Sequence, residues 1–250
     1  MKKFEGKVVL VTGGGHGIGK QIAIQFAQQG ANTVIADYNQ ETGAKTAKEL
    51  TNNYAKSLFV PADVSNPEAM INVRNKVFEV FGRIDTLILN AGIAFKNKVC
   101  DISLEEWNKT LSINLNGLFY TVKAFYHDFL TNHGSIVYIS SGSALSGTGG
   151  GVSYPASKAG GEGLMRGLAK ELGPKGVNVN TIAPRLIDTG EMMRVNYPTQ
   201  ADLDAVLQKI PVRRLGTVQD VANLAVFLAD ADNSYIQGQT ILLDGGRTIA

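Results

Sequence analysis

Tyr154 and Lys158 stand four residues apart in the run Tyr154-Pro-Ala-Ser-Lys158. On a helix that spacing puts both side chains on one face, a turn from each other. Three glycines, Gly149 to Gly151, precede the pair, and Leu164, Leu168 and Leu172 follow at helical spacing until Gly173 and Pro174 stop the pattern. The spacing predicts a helix starting near Ser153, with Pro155 tolerated in its first turn. A free phenol titrates at about 10, too high for a good base at neutral pH. An ammonium within a few ångströms and a helix N-terminus both favour the phenolate, so the Tyr154 pKa is expected to fall. Ser141 follows the apolar run 136–139, where a strand would deliver its hydroxyl to the edge of a site. Tyrosine as acid and base, lysine as its tuner and serine holding a substrate oxygen make a proton-transfer site.

A second constellation lies near the N-terminus. The β-branched run 7–11 leads into Thr12-Gly13-Gly-Gly-His16-Gly17-Ile18-Gly19, and Ile22 and Phe26 follow at helical spacing up to Gly30. Strand, glycine turn and helix in that order let the backbone approach a pyrophosphate and present amides at a helix N-terminus. The next strand, 33–36, ends at Asp37, eighteen residues past Gly19. An acid there is placed to accept hydrogen bonds from an adenine-ribose 2′-hydroxyl and to repel a 2′-phosphate. Residues 14–20 also satisfy G-x-x-x-x-G-K, but Gln21 stands where a magnesium-binding Ser or Thr would be needed. That argues against a nucleoside triphosphate and phosphoryl transfer.

Between and after these stretches, strands alternate with helices. Strand three is centred on 58–60 and is followed by Asp63 and Val64, with a capping box at 65–68 opening the next helix toward Gly82. Strand four, 85–89, turns at Asn90-Ala91-Gly92, and a second capping box at 103–106 opens a helix reaching toward Leu130, with Asn114 and Asn116 in its middle. Strands five, six and seven are read at 136–139, 177–182 and 240–243. The alternation predicts an α/β, doubly wound parallel sheet with helices on both faces. The whole span 1–250 reads as one domain, without linker or repeat, and with a substrate lid at 185–210.

Composition narrows the function classes. A net charge of +2 and no basic stretch interleaved with aromatics give no reason to expect nucleic acid. One cysteine excludes an internal disulfide and fits a reducing compartment, so a cytoplasmic location is expected. No apolar run approaches membrane-spanning length, so no membrane partner is expected. Three histidines and one cysteine without metal-ligand spacing make a metal unexpected.

Taken together, the motifs 12–19, Asp63-Val64, Asn90 to Gly92, Asn114, Ser141, Tyr154-x-x-x-Lys158, Ala183-Pro184, Thr189, Gly238-Gln239 and Asp244 to Gly246 resemble the short-chain dehydrogenase/reductase family over essentially the whole length. The resemblance implies a seven-stranded Rossmann sheet, a homotetramer and a nicotinamide cofactor, with Asp37 selecting NAD. It implies that Tyr154 exchanges the proton with the substrate oxygen while Lys158 holds the nicotinamide ribose. It also implies that Asn114 binds a water in a proton relay, and that Asp63 and Val64 flank the adenine. Asn90, with Ala91 and Gly92, would support sheet and cofactor edge, and Pro184, Ile187 and Thr189 would lie toward the carboxamide. Leu89 stands where an asparagine is often seen, and Arg185 where the family usually has glycine. With Arg194 and Ser143, Arg185 is a candidate substrate contact. The expected reaction is NAD(H)-dependent interconversion of a secondary alcohol and a ketone of a small polyol, sugar or hydroxy acid. A 3-oxoacyl thioester reductase and a non-catalytic cofactor-binding regulator are the alternatives.

Overall fold

The computed structural model describes residues 2–190 and 197–249. In chain order the strands are β1 (Val8–Thr12), β2 (Asn32–Asp37), β3 (Ser57–Pro61), β4 (Thr86–Leu89), β5 (Ser135–Ile139), β6 (Asn178–Pro184), the short β7 (Ile187–Asp188) and β8 (Gly216–Thr217), and β9 (Thr240–Leu243). Seven of them form one parallel sheet in the order β3-β2-β1-β4-β5-β6-β9, and β7 and β8 pair separately. β1, β4 and β5 are buried at every residue. This explains their unbroken apolar runs, because a central parallel strand is covered on both faces.

The helices are α1 (Gly17–Gln28), α2 (Gln40–Asn53), α3 (Pro67–Phe81), α4 (Leu104–Leu111), α5 (Gly117–Asn132), α6 (Ser143–Ser146), α7 (Ser153–Leu172), α8 (Gln200–Leu207) and α9 (Val218–Ala229). One core joins the sheet to α3, α5 and α7 through Val73, Phe125 and Leu168, and a second joins it to α1, α2 and α9 through Phe26, Leu50 and Val221. The expected doubly wound fold is therefore present, with a core on each face of the sheet.

Three local readings change. The cap of α3 is Asn66, whose side chain accepts from the Glu68 amide, with Pro67 in the first turn. Ser65, read as the start of a capping box, instead donates to Asp63 through both its amide and its hydroxyl. The helix expected to run unbroken from 103 toward 130 carries a π-helical turn, Ser112–Asn116, between α4 and α5. Such a turn inserts an extra residue into the ladder and re-aims the side chains beside it. Finally β6 extends to Pro184, because Ala183 and Pro184 pair with Leu242 and Leu243 of β9. That extension carries Arg185 to the end of the sheet where the site lies.

Candidate active site

The strand order reverses between β1 and β4, and parallel α/β sheets bind ligands in the crevice at that switch point. Asn90 ties the two strand ends together. Its side chain donates to the carbonyls of Thr12 and Gly13, each at 3.0 Å, while its own amide and that of Ala91 donate to the Thr12 hydroxyl. The approach is close enough to require glycine. Gly13 has φ +65°, and a Cβ there would lie 3.0 Å from the Ala91 Cα. A Cβ on Gly19 would overlap the Gly13 carbonyl oxygen. On the open side of the same turn, a Cβ on Gly17 would meet nothing within 4 Å. His16, the exposed N-cap of α1, makes no side-chain capping bond, so the first amides of α1 face that opening uncapped by their own N-cap.

Asp37, only 6% exposed, closes the turn from β2. One carboxylate oxygen accepts from the Gly15 amide at 2.8 Å and the other from the Asn39 amide at 2.9 Å. Asp63 sits at the next strand end, holding the Ser65 turn, and Val64 is buried beneath Gly117.

Across the switch point, Tyr154 and Lys158 lie in α7, which does start at Ser153. Lys158 is 3% exposed, its ammonium donates to the Ile139 carbonyl at 2.8 Å, and it lies 5.7 Å from the centre of the Tyr154 ring. Burial lowers the Lys158 pKa to about 8, against the opposing charge of Glu162 one turn on. The Tyr154 pKa does not fall as expected. Burial pushes it above the ordinary phenol value, and the neighbouring Ser141 hydroxyl only partly offsets this. The reason is geometric: the ammonium is turned to a backbone carbonyl, and desolvation of the phenol dominates. Asn114 is fully buried in the π-turn. It accepts from the Ile93 amide and donates to the Ile93 carbonyl, each at 2.8 Å, and donates to Ser157 at 3.0 Å. A Cβ on Gly92 would lie 3.2 Å from the Asn114 oxygen and 3.4 Å from the Lys158 ammonium, so these two groups face one point beside the glycine of the 90–92 turn.

Ser141, Ser143 and Tyr154 line a cavity of about 820 Å³ that also takes in Ile18, Pro184, Ile187 and Thr189. Ser141 donates to Ser143 at 3.1 Å, which places the second hydroxyl in the same wall. Arg185 lines the cavity too, and its guanidinium reaches Thr148 and Thr248. Arg194, with Met192 and Met193 of the expected lid, lies outside the described residues; of the span 185–210 the described residues are 185–190 and 197–210, the latter including Tyr197 and α8.

A family model described as enoyl-(acyl carrier protein) reductase matches residues 13–248. The chain belongs to the short-chain dehydrogenase/reductase family. It is 37% identical over 243 residues to a 3-oxoacyl-[acyl-carrier-protein] reductase of Buchnera aphidicola, covering 96% of each chain. It is also 37% identical, over 98% of each chain, to a (2S)-[(R)-hydroxy(phenyl)methyl]succinyl-CoA dehydrogenase subunit of Thauera aromatica. The crystal structure of levodione reductase superposes with a TM-score of 0.92 at 31% identity, over 99% of each chain. As a short-chain dehydrogenase/reductase the protein is an oxidoreductase that works with a nicotinamide cofactor.

Some residues of this site escaped the sequence reading. Tyr138 looked like core, and it is core, but its buried hydroxyl has no hydrogen-bond partner within bonding distance among the described residues, and its ring lies 5.1 Å from the Lys158 ammonium. A Cβ on Gly161 would stand 2.6 Å from that hydroxyl, so this glycine is used for close packing inside the chain. Glu162 accepts from Ser140 at 2.8 Å. Its position four residues after Lys158 was an available signal. Arg247, which also lines the cavity, had none, since it lies in the tail beyond the last strand.

Proposed function

We infer that the protein interconverts a secondary alcohol and a ketone with NAD(H), acting on a small hydroxy acid, sugar or polyol. The observation that carries this is the convergence of Ser141 and Tyr154 on one cavity wall, with Lys158 directly behind the phenol. When bound, the cofactor supplies the hydride carrier. The glycine turn 13–19 would hold its pyrophosphate, Asp37 its adenine ribose, Asp63 and Val64 its adenine, and Pro184, Ile187 and Thr189 its nicotinamide end. The open backbone at Gly17 and the N-terminal amides of α1 fit such an anion.

Ser141 positions the substrate oxygen and Tyr154 exchanges a proton with it. With its pKa raised by burial, the phenol is protonated at neutral pH, the form that donates to a ketone oxygen. Lys158 places a cation behind the ring and toward the nicotinamide ribose. Asn114 holds the 93 segment against α7 beside Lys158, where a relay water would sit. NAD rather than NADP is read from Asp37, which stands at the end of β2 with its carboxylate against the Gly15 amide of the glycine turn.

The second reading is reduction of a 3-oxoacyl thioester, favoured by the activity for which the Buchnera relative and the Escherichia coli reductase, 36% identical over 244 residues, are named. The experiment that separates them is cofactor turnover over a panel of polyols, sugars, hydroxy acids and 3-hydroxyacyl thioesters. Efficient use of thioesters alone would replace the first reading with the second; no turnover of any would point to a non-catalytic role.

A homotetramer is part of the same proposal. β9 forms a sheet edge with half-exposed Ile241, Leu242 and Leu243, and Gly163 and Gly167 leave an open stripe on α7. A monomer by light scattering at micromolar concentration would refute it.

A further inference from the structure

We propose that the substrate carries a carboxylate close to its reacting carbon, and that Arg185 and Arg247 together bind it. The proposal rests on the alcohol–ketone reading and selects the hydroxy acid from the neutral polyols and sugars. Every charged side chain among the described residues lining the cavity is a cation: Lys96, Arg185 and Arg247. Lys96 is engaged in other interactions.

Arg185 follows Pro184 at the end of β6, and its aliphatic stem lies across Gly142, the residue after Ser141. A Cβ on Gly142 would meet the Arg185 Cβ at 3.0 Å and its Cδ at 3.1 Å, so the absence of a side chain there gives the arginine stem its room. Its guanidinium donates to the hydroxyls of Thr148 and Thr248, each at 3.4 Å. Those are long hydrogen bonds to neutral acceptors, which an anion would readily displace.

Arg247 enters from the C-terminal tail. Its Nη1 is buried and has no hydrogen-bond partner among the described residues. A buried guanidinium N–H without an acceptor is costly, and a bound anion would satisfy it. Asp244 interacts electrostatically with Arg185, but its oxygens are occupied by the amides of Gly246 and Thr248 within their own turn. It offsets part of the Arg185 charge without filling either guanidinium. Two forked donors in the cavity that Ser141 and Tyr154 also line suit a carboxylate, whose two oxygens they can engage bidentately.

The test compares 2-, 3- and 4-hydroxy acids with their methyl esters, which remove the charge and keep the carbinol, and with 3-hydroxybutyryl-CoA, whose phosphates lie far from the reacting carbon. The wild-type protein should prefer the acid of the best pair over its ester by about 10- to 150-fold in kcat/KM, the range for a hydrogen bond to a charged group. Arg185→Gly and Arg247→Ala should each collapse that ratio, and Arg185→Lys should restore part of it. Thermal shifts by the acid and the ester in the presence of NADH read the anion site without turnover. They also report whether each variant is folded. An acid-specific shift without turnover would support the anion site while sinking the alcohol–ketone reading. Equal rates and equal shifts for acid and ester in the wild-type protein would overturn the proposal. So would arginine-dependent use of the CoA thioester with no response to any free acid.

Discussion

Replacing Asp37 with asparagine keeps the shape of the side chain and removes its charge, which makes it the sharpest probe of cofactor choice. The carboxylate is 6% exposed and pinned by the amides of Gly15 and Asn39, so it cannot swing away from a group brought to the ribose position. A 2′-phosphate there would lie about 4 Å from it, where two like unit charges repel by about 4 kcal/mol at an effective dielectric constant of roughly 20. No compensating cation follows: the next residue is Tyr38, largely exposed, and His16 stands at the turn where an arginine would help NADP. Allowing for solvent screening, NAD should be preferred by about 100- to 1000-fold in kcat/KM. Asp37→Asn should erase the repulsion and also weaken the ribose hydrogen bonds, by about 1.5–3 kcal/mol. The NAD efficiency should then fall about 10- to 150-fold and the preference should shrink to within about tenfold. The assay is initial-rate kcat/KM with both oxidised cofactors on one alcohol, with fluorescence titration of NADH and NADPH alongside. A wild-type preference for NADP, or a ratio unmoved by the substitution, would refute the reasoning.

Other outcomes follow from the same site. Tyr154→Phe should abolish turnover and leave NADH binding nearly intact, because it deletes one hydroxyl; more than a few per cent of residual activity would place the proton donor elsewhere. Lys158 keeps its proton to about 10.5 when unfolded but only to about 8 when folded. Between those values the unfolded chain binds more protons, so stability should rise with pH there, by about 3 kcal/mol relative to Lys158→Met. Urea denaturation of both proteins at pH 7.5 and 10.5 measures that difference, and parallel curves would contradict it. Gly161→Ala should destabilise by about 1–2 kcal/mol despite alanine's better helix propensity, since the new methyl meets the buried Tyr138 ring and hydroxyl at 2.6–2.7 Å. A gain in stability would show that Tyr138 can move.

What the chain order alone determined was whatever depends on neighbours in sequence. The glycine turn before α1, the Tyr154 and Lys158 pair on one helix face, the start of α7 at Ser153 and the strand–helix alternation are local, and each followed from spacing and backbone freedom. The cap of α3 was misassigned because Ser65 and Asn66 are both good caps, and only the turn at Asp63 chooses between them. Tertiary structure decided what depends on groups distant in sequence or on the loss of water. Asn114 finds Ile93 and Ser157 only because a π-turn re-aims it. Tyr138 and Gly161 fit each other across β5 and α7, and Arg247 joins Arg185 from the far end of the chain. The direction of the Tyr154 pKa belongs here as well. Spacing supplied a nearby cation, but desolvation in the folded cavity outweighs it, and desolvation is set by the whole packed structure.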